Sequence, residues 1–111
     1  MLKHLALLLS FVVATALAQP VNIARVSALA SGGLLLNGKP ADIRMIDAAF
    51  QQLKTSKGAV WYYRESAQAE PSPEAMSVIK LVVQYGLPVS MSTKPDFSDY
   101  VDANGRSQVR K

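Results

Sequence analysis

From residue 25 to residue 30 the chain alternates. Val26, Ala28 and Ala30 fall on one side, and Arg25, Ser27 and Leu29 on the other, the two-residue period of a half-buried strand. Ser31-Gly32-Gly33 is turn chemistry, and the apolar run Leu34 to Leu36 resumes as a second strand, so the order predicts a hairpin. Asn37-Gly38 ends that strand, because both residues accept the positive φ of a tight turn. The period then lengthens. Ile43, Ile46, Phe50 and Leu53 recur at three- and four-residue spacing, with Asp42 placed as N-cap, Lys54 and Lys57 at the negative end of the helix dipole, and Gly58 as the stop.

The stretch "AVWYYRES" is short and rich in aromatic and β-branched residues, which predicts a strand. A polar loop follows and ends in a helix-start signal: Ser72 as N-cap, Pro73 at the first helical position and Glu74 beside the positive end of the dipole. Met76, Ile79, Val82 and Val83 supply the apolar stripe of this second helix, and Gly86 with Pro88 ends it. "LPVSMST" alternates again, with Val89, Met91 and Thr93 opposed to Ser90 and Ser92. Beyond Pro95, Asn104-Gly105 marks either a further short strand or hairpin, or a frayed end. The order β-β-α-β-α-β needs one sheet face to cover two helical stripes. It predicts an α+β two-layer sandwich, two helices on one face of a small mixed sheet, with the other face open.

The first residues follow another pattern. "MLKHLALLLSFVVATALAQP" places Lys3 before an apolar run and ends in small residues at Ala16 to Ala18, which is the layout of a cleavable export signal over residues 1–18. The run is shorter than the 20 or so apolar residues of a membrane-spanning helix. An uncleaved, membrane-anchored segment is the alternative. Residues 19–24 read as a linker, 25–102 as the domain and 103–111 as a basic tail holding Arg106, Arg110 and Lys111.

Composition narrows the chemistry. The chain holds no cysteine, and its single histidine, His4, lies inside the leader. An exported domain without cysteine has no disulfide framework and depends on its hydrophobic core. Without histidine or cysteine, Ser-His and Cys-His nucleophilic chemistry is excluded, and zinc and haem sites lose their main ligands. No cofactor and no metal are expected, and the function class is binding, not catalysis. The net charge of +4 falls to +3 without Lys3. No aromatic residue lies among the terminal basic residues, so a solvated tail is favoured over nucleic-acid binding. Asp96, Asp99 and Asp102 recur every three residues and would share one face only if that stretch were helical. Asp102 to Gly105 fails as a calcium loop, since Tyr100 and Lys111 stand where carboxylates are required.

The binding candidate is the open sheet face. A core excludes arginine, so Arg64 predicts that Tyr62 also points outward, leaving Trp61 and Tyr63 toward the helices. Arg25 and Ser27 from the first strand, and Ser90 and Ser92 from the last, complete the set Arg25, Ser27, Tyr62, Arg64, Ser90 and Ser92. Arginine and tyrosine on such a face hydrogen-bond and stack on a peptide or a sugar, and an exposed edge strand accepts a partner's strand.

An apolar strand, "LNGKPAD", a helix, the strand ending "YYRES", a polar loop, a helix ending in glycine and a final strand together resemble the periplasmic domain of the ExbD/TolR family. The resemblance spans roughly residues 25–93. It implies a non-enzymatic periplasmic binding domain, accessory to or partner of an energy-coupled envelope transport system. The implied partners are an envelope protein (a TonB-like segment) or peptidoglycan, and a second copy, since family members commonly dimerise. The membrane enters only if the leader stays uncleaved, as an anchored biopolymer-transport subunit. Family members carry a transmembrane acidic residue in the proton path, whereas "LALLLSFVVATALA" contains no Asp or Glu. Where the family commonly reads Arg-Ala-Asp, this chain reads Arg64-Glu65-Ser66.

Overall fold

The computed structural model describes residues 22–111; the predicted export signal lies outside the described residues. Strand β1 runs Ile23–Ala28, β2 Leu34–Leu36, β3 Lys39–Ala41, helix α1 Ile43–Ser56, β4 Ala59–Arg64, α2 Pro73–Tyr85, β5 Val89–Ser92, β6 Asp99–Val101 and β7 Ser107–Val109. Five strands form one mixed sheet in the order β3-β2-β1-β4-β5, and β6-β7 is a separate hairpin. Both helices pack on one face of the five-stranded sheet, and their buried side chains share its core. The α+β two-layer expectation holds.

Local chemistry explains the elements. Asn37 and Gly38 take φ of 53° and 85°, the consecutive positive values that suit a two-residue hairpin turn. They join β2 to β3, a short edge strand that the sequence pattern did not show, before α1 begins. The Asp42 side chain caps α1 by accepting from the Met45 N–H at 2.9 Å, and Ser72 caps α2 by accepting from the Ala75 N–H at 3.0 Å. Lys57, not Gly58, takes the left-handed position that closes α1 (φ 60°). Gly58 is required for another reason. A Cβ there would stand 2.5 Å from both the Asn22 carbonyl oxygen and Leu53 Cδ2.

β1 pairs parallel with β4, and β4 parallel with β5, so in-register neighbours share a face. Ala24, Val26 and Ala28 of β1 and Val60 and Tyr62 of β4 meet Ile46, Phe50 and Leu53 of α1 and Ala75, Val78 and Val82 of α2. Three expectations are corrected here. β1 takes in Ile23 and Ala24, which had read as linker. The expected basic tail is folded, with β7 paired to β6 across a turn held by Asp102, whose carboxylate accepts from the Asn104 and Arg106 N–H groups. On α2, of the expected stripe only Val82 is buried; Met76, Ile79 and Val83 are exposed, and Ala75 and Val78 face the core instead.

Candidate functional site

The helix-free face of the sheet carries two rows of side chains across β1, β4 and β5. One row is Arg25, Trp61 and Ser90; the next is Ser27, Tyr63 and Ser92. Tyr62 is therefore on the wrong face for the expected site. It points into the helix-packed core at 2 % exposure, and Trp61 and Tyr63 look away from the helices. The inference from Arg64 failed because Arg64 ends β4, at the rim of the core. From there its guanidinium turns to donate to the Ala67 and Ala69 carbonyls at 2.6 and 2.9 Å. A charge at a strand terminus escapes the core without fixing the parity of the strand. The neighbouring Glu65 accepts from the Ala30 N–H at 2.8 Å, so both residues tie down loops.

The face is not wholly open, because the β6–β7 hairpin folds back over part of it. Phe97, itself buried, sits 6.5 Å from Trp61 and 6.4 Å from Tyr63 between ring centroids. Asp99, one of three buried polar residues among the described residues with Ser27 and Ser92, anchors the hairpin. Its carboxylate accepts from the hydroxyls of Ser92 (2.6 Å), Thr93 (2.5 Å) and Ser107 (2.6 Å) and from the Thr93 N–H (2.9 Å). Burial alone raises the pKa of this carboxyl, but donation from Ser107, Ser92 and Thr93 outweighs it and holds Asp99 well below the usual carboxylate range. Asp96 and Asp102 do not join it. Each binds nearby backbone N–H groups, so the three-residue spacing gathers no carboxylate cluster.

Arg110 lies across the centre of the face, though the sequence placed it in a solvated tail. Its guanidinium carbon is 3.8 Å from the centroid of the Trp61 ring, while Arg25 lies 4.9 Å from the same centroid. Arg110 donates to the Phe97 carbonyl at 3.0 Å, the Ser90 hydroxyl at 3.2 Å and the Asp99 carbonyl at 2.9 Å. Burial lowers its pKa; Asp99 opposes that shift and the charge of Arg25 adds to it. Of the predicted residues, then, Arg25 and Ser90 are brought together around Trp61. Ser27 is buried on β1, Ser92 is buried against Asp99 of the hairpin, Tyr62 faces the core, and Arg64 holds a loop.

A second surface lies on the other side of the sheet, along its β5 edge. Val89 and Met91 are in register with the core residues Val60 and Tyr62, and so point to the helix side. No strand pairs with β5 on its outer side in the five-stranded sheet, and each of these two residues is 43 % exposed. On α2, Tyr85 donates a hydrogen bond to Asp47 of α1. On the same helix Met76 and Ile79 are also exposed. Val83 is 73 % exposed. Val60 donates to the Pro88 carbonyl, so the parallel ladder engages Ser90 and turns the N–H and C=O groups of Val89 and Met91 outward. A groove of 660 Å³ continues from this edge past Met91 and Thr93, between Arg64 and Val101.

Compared with known proteins, the chain matches no protein-family model and no curated protein sequence.

Proposed function

We propose that this chain is a non-enzymatic binding domain of the ExbD/TolR-like kind, exported to the periplasm, which serves an envelope transport system by holding an extended segment of a partner protein. One observation carries the reading: at the edge of the sheet β5 leaves Val89 and Met91 each 43 % exposed on the helix side, with their backbone groups turned away from β4. Monomeric domains rarely leave apolar side chains gathered beside an unpaired edge strand, because that combination templates a further strand. A partner strand added antiparallel or parallel to β5 would satisfy the outward backbone groups of Val89 and Met91 and lay alternate apolar side chains on α2. The β-β-β-α-β-α-β order of the elements from β1 to β5 and the "LNGKPAD" and "YYRES" segments support the family assignment. Among the described residues no helix is long and apolar enough to cross a membrane.

The test uses a photo-crosslinking residue in place of Met91 in the full chain, expressed in cells, with mass spectrometry of the joined peptides. The expected product joins this edge to an extended segment of another envelope protein. It is lost in the second-site variant Val89→Pro, which removes one outward N–H without touching the ladder to β4. Crosslinks confined to a second copy of the chain would replace the reading with self-association, and absence of any product would overturn it.

A further inference from the structure

The β6–β7 hairpin is held to the rest of the domain through side chains. It forms a sheet of its own, and among the described residues no backbone–backbone hydrogen bond joins residues 97–111 to residues 22–93. The fastenings are Asp99 on Ser92 and Thr93, Arg110 on the Ser90 hydroxyl and the Trp61 ring, and Phe97 against the rings of Trp61 and Tyr63. The hydrophobic core does not extend into the hairpin. Phe97 is the one buried apolar side chain from residue 94 onward, and it lies outside the cluster that joins the sheet to the helices. All three residues of β7 are exposed.

A part of a fold opens by itself when releasing it costs less than undoing the whole. Lifting the hairpin gives up the contacts of one phenylalanine and a few polar bonds, whose groups water then satisfies. The side chains shared by sheet and helices keep their core, since none of them comes from the hairpin. The connection to β5 works in the same direction. Residues 93–98 form neither strand nor helix, and within them Phe97 takes φ 59°. A bulky residue holds that left-handed conformation at a cost, and only while its surroundings force it. The forcing contacts are those of the closed hairpin: Arg110 donates to the Phe97 carbonyl, and the Phe97 ring is pinned against Trp61 and Tyr63. Release therefore relieves strain. An isolated two-stranded hairpin is marginal in water, so once lifted its ladder frays and its amides exchange.

We infer that the β6–β7 hairpin is a hinged strap: in a minor state of the native protein it lifts as a unit about residues 94–98, baring Trp61 and Tyr63, while the five-stranded sheet and both helices stay folded. Asp99 and Arg110 are its latch, and the strain at Phe97 works against them. Its opening needs no partner strand at β5 and stands apart from the binding proposed for that edge.

Native-state amide hydrogen exchange of the full chain, followed residue by residue by NMR, reads this opening directly. The strap is reported by the N–H groups of Thr93, which donates to Asp99, and of Asp102 and Arg110, which donate to Arg106 and Ser98. Relative to their intrinsic rates they should exchange roughly tenfold or more faster than the amides of β1 and β4. Ile46→Val, in the core face of α1, should speed the β1 and β4 amides roughly fivefold and leave the strap amides unchanged, because the core stays intact when the strap lifts. Arg110→Gln should speed both sets by a similar factor, roughly tenfold, because its bonds are lost on either route. Strap amides that exchange as slowly as those of β1 and β4, or that follow Ile46→Val by the same factor, would show that hairpin and sandwich open only together and would overturn the proposal. Strap amides with no protection at all would also overturn it, since the native state would then lack a closed strap.

Discussion

Replacing Asp99 tests the account of the hairpin and of the face it covers. Its two carboxylate oxygens take four donors, the hydroxyls of Ser92, Thr93 and Ser107 and the Thr93 N–H, in a residue only 2 % exposed. Such bonds contribute about 1 kcal/mol net apiece, and those to a charged acceptor more. Asp99→Ala should therefore cost about 4 kcal/mol, a large share of the 5–10 kcal/mol or so that holds a domain of this size. Asp99→Asn keeps one acceptor oxygen and should lose about half as much. The assay is urea unfolding of the full chain, followed by circular dichroism at pH 7 and pH 3. The carboxyl has a folded pKa depressed below its unfolded value of about 3.9. Its contribution is then fully present above that value and is lost as pH falls through it toward the lower folded one. The stability gap between the native chain and Asp99→Asn should accordingly be wide at pH 7 and narrower at pH 3. A gap equal at both pH values would refute the depressed carboxylate, and a loss below about 1 kcal/mol for Asp99→Ala would refute its anchoring role.

Two further substitutions probe the assignment of faces and the entry to β4. Tyr62→Ala should cost about 3–5 kcal/mol, as loss of a core aromatic does, whereas Trp61→Ala should cost less in unfolding experiments; the reverse order would return Tyr62 to the outer face. Gly58→Ala should cost about 1–3 kcal/mol through contact of its Cβ with the Asn22 carbonyl and Leu53, visible as a lower thermal midpoint with no change in helix content.

Much of the fold was legible because its signals are local. Asp42 and Ser72 are caps wherever a helix follows them, and the Ile46, Phe50 and Leu53 spacing admits one face only. The parity of β4 was not legible. Val60, Trp61, Tyr62 and Tyr63 are all apolar enough to be buried, so the alternation that names an inner face is missing. The second helix misled for a similar reason. Its apolar residues, Ala75, Met76, Val78, Ile79, Leu81, Val82 and Val83, extend around more than one side, and size pointed to Met76 and Ile79 where small Ala75 makes the close contact.

The sequence alone determined the order of β1, β2, α1, β4, α2 and β5 and the N-caps of both helices, since each depends on residues within a few positions of one another. Only the tertiary structure decided what the sheet face is. Arg110 reaches Trp61 and Ser90 from far along the chain, and Asp99 finds its donors on β5, in the loop after it and on β7. Such pairings arise from the register of β4 with β1 and β5 and from a hairpin folding back across them. No period in the sequence encodes a contact between residues so far apart, because packing, not spacing, brings them together.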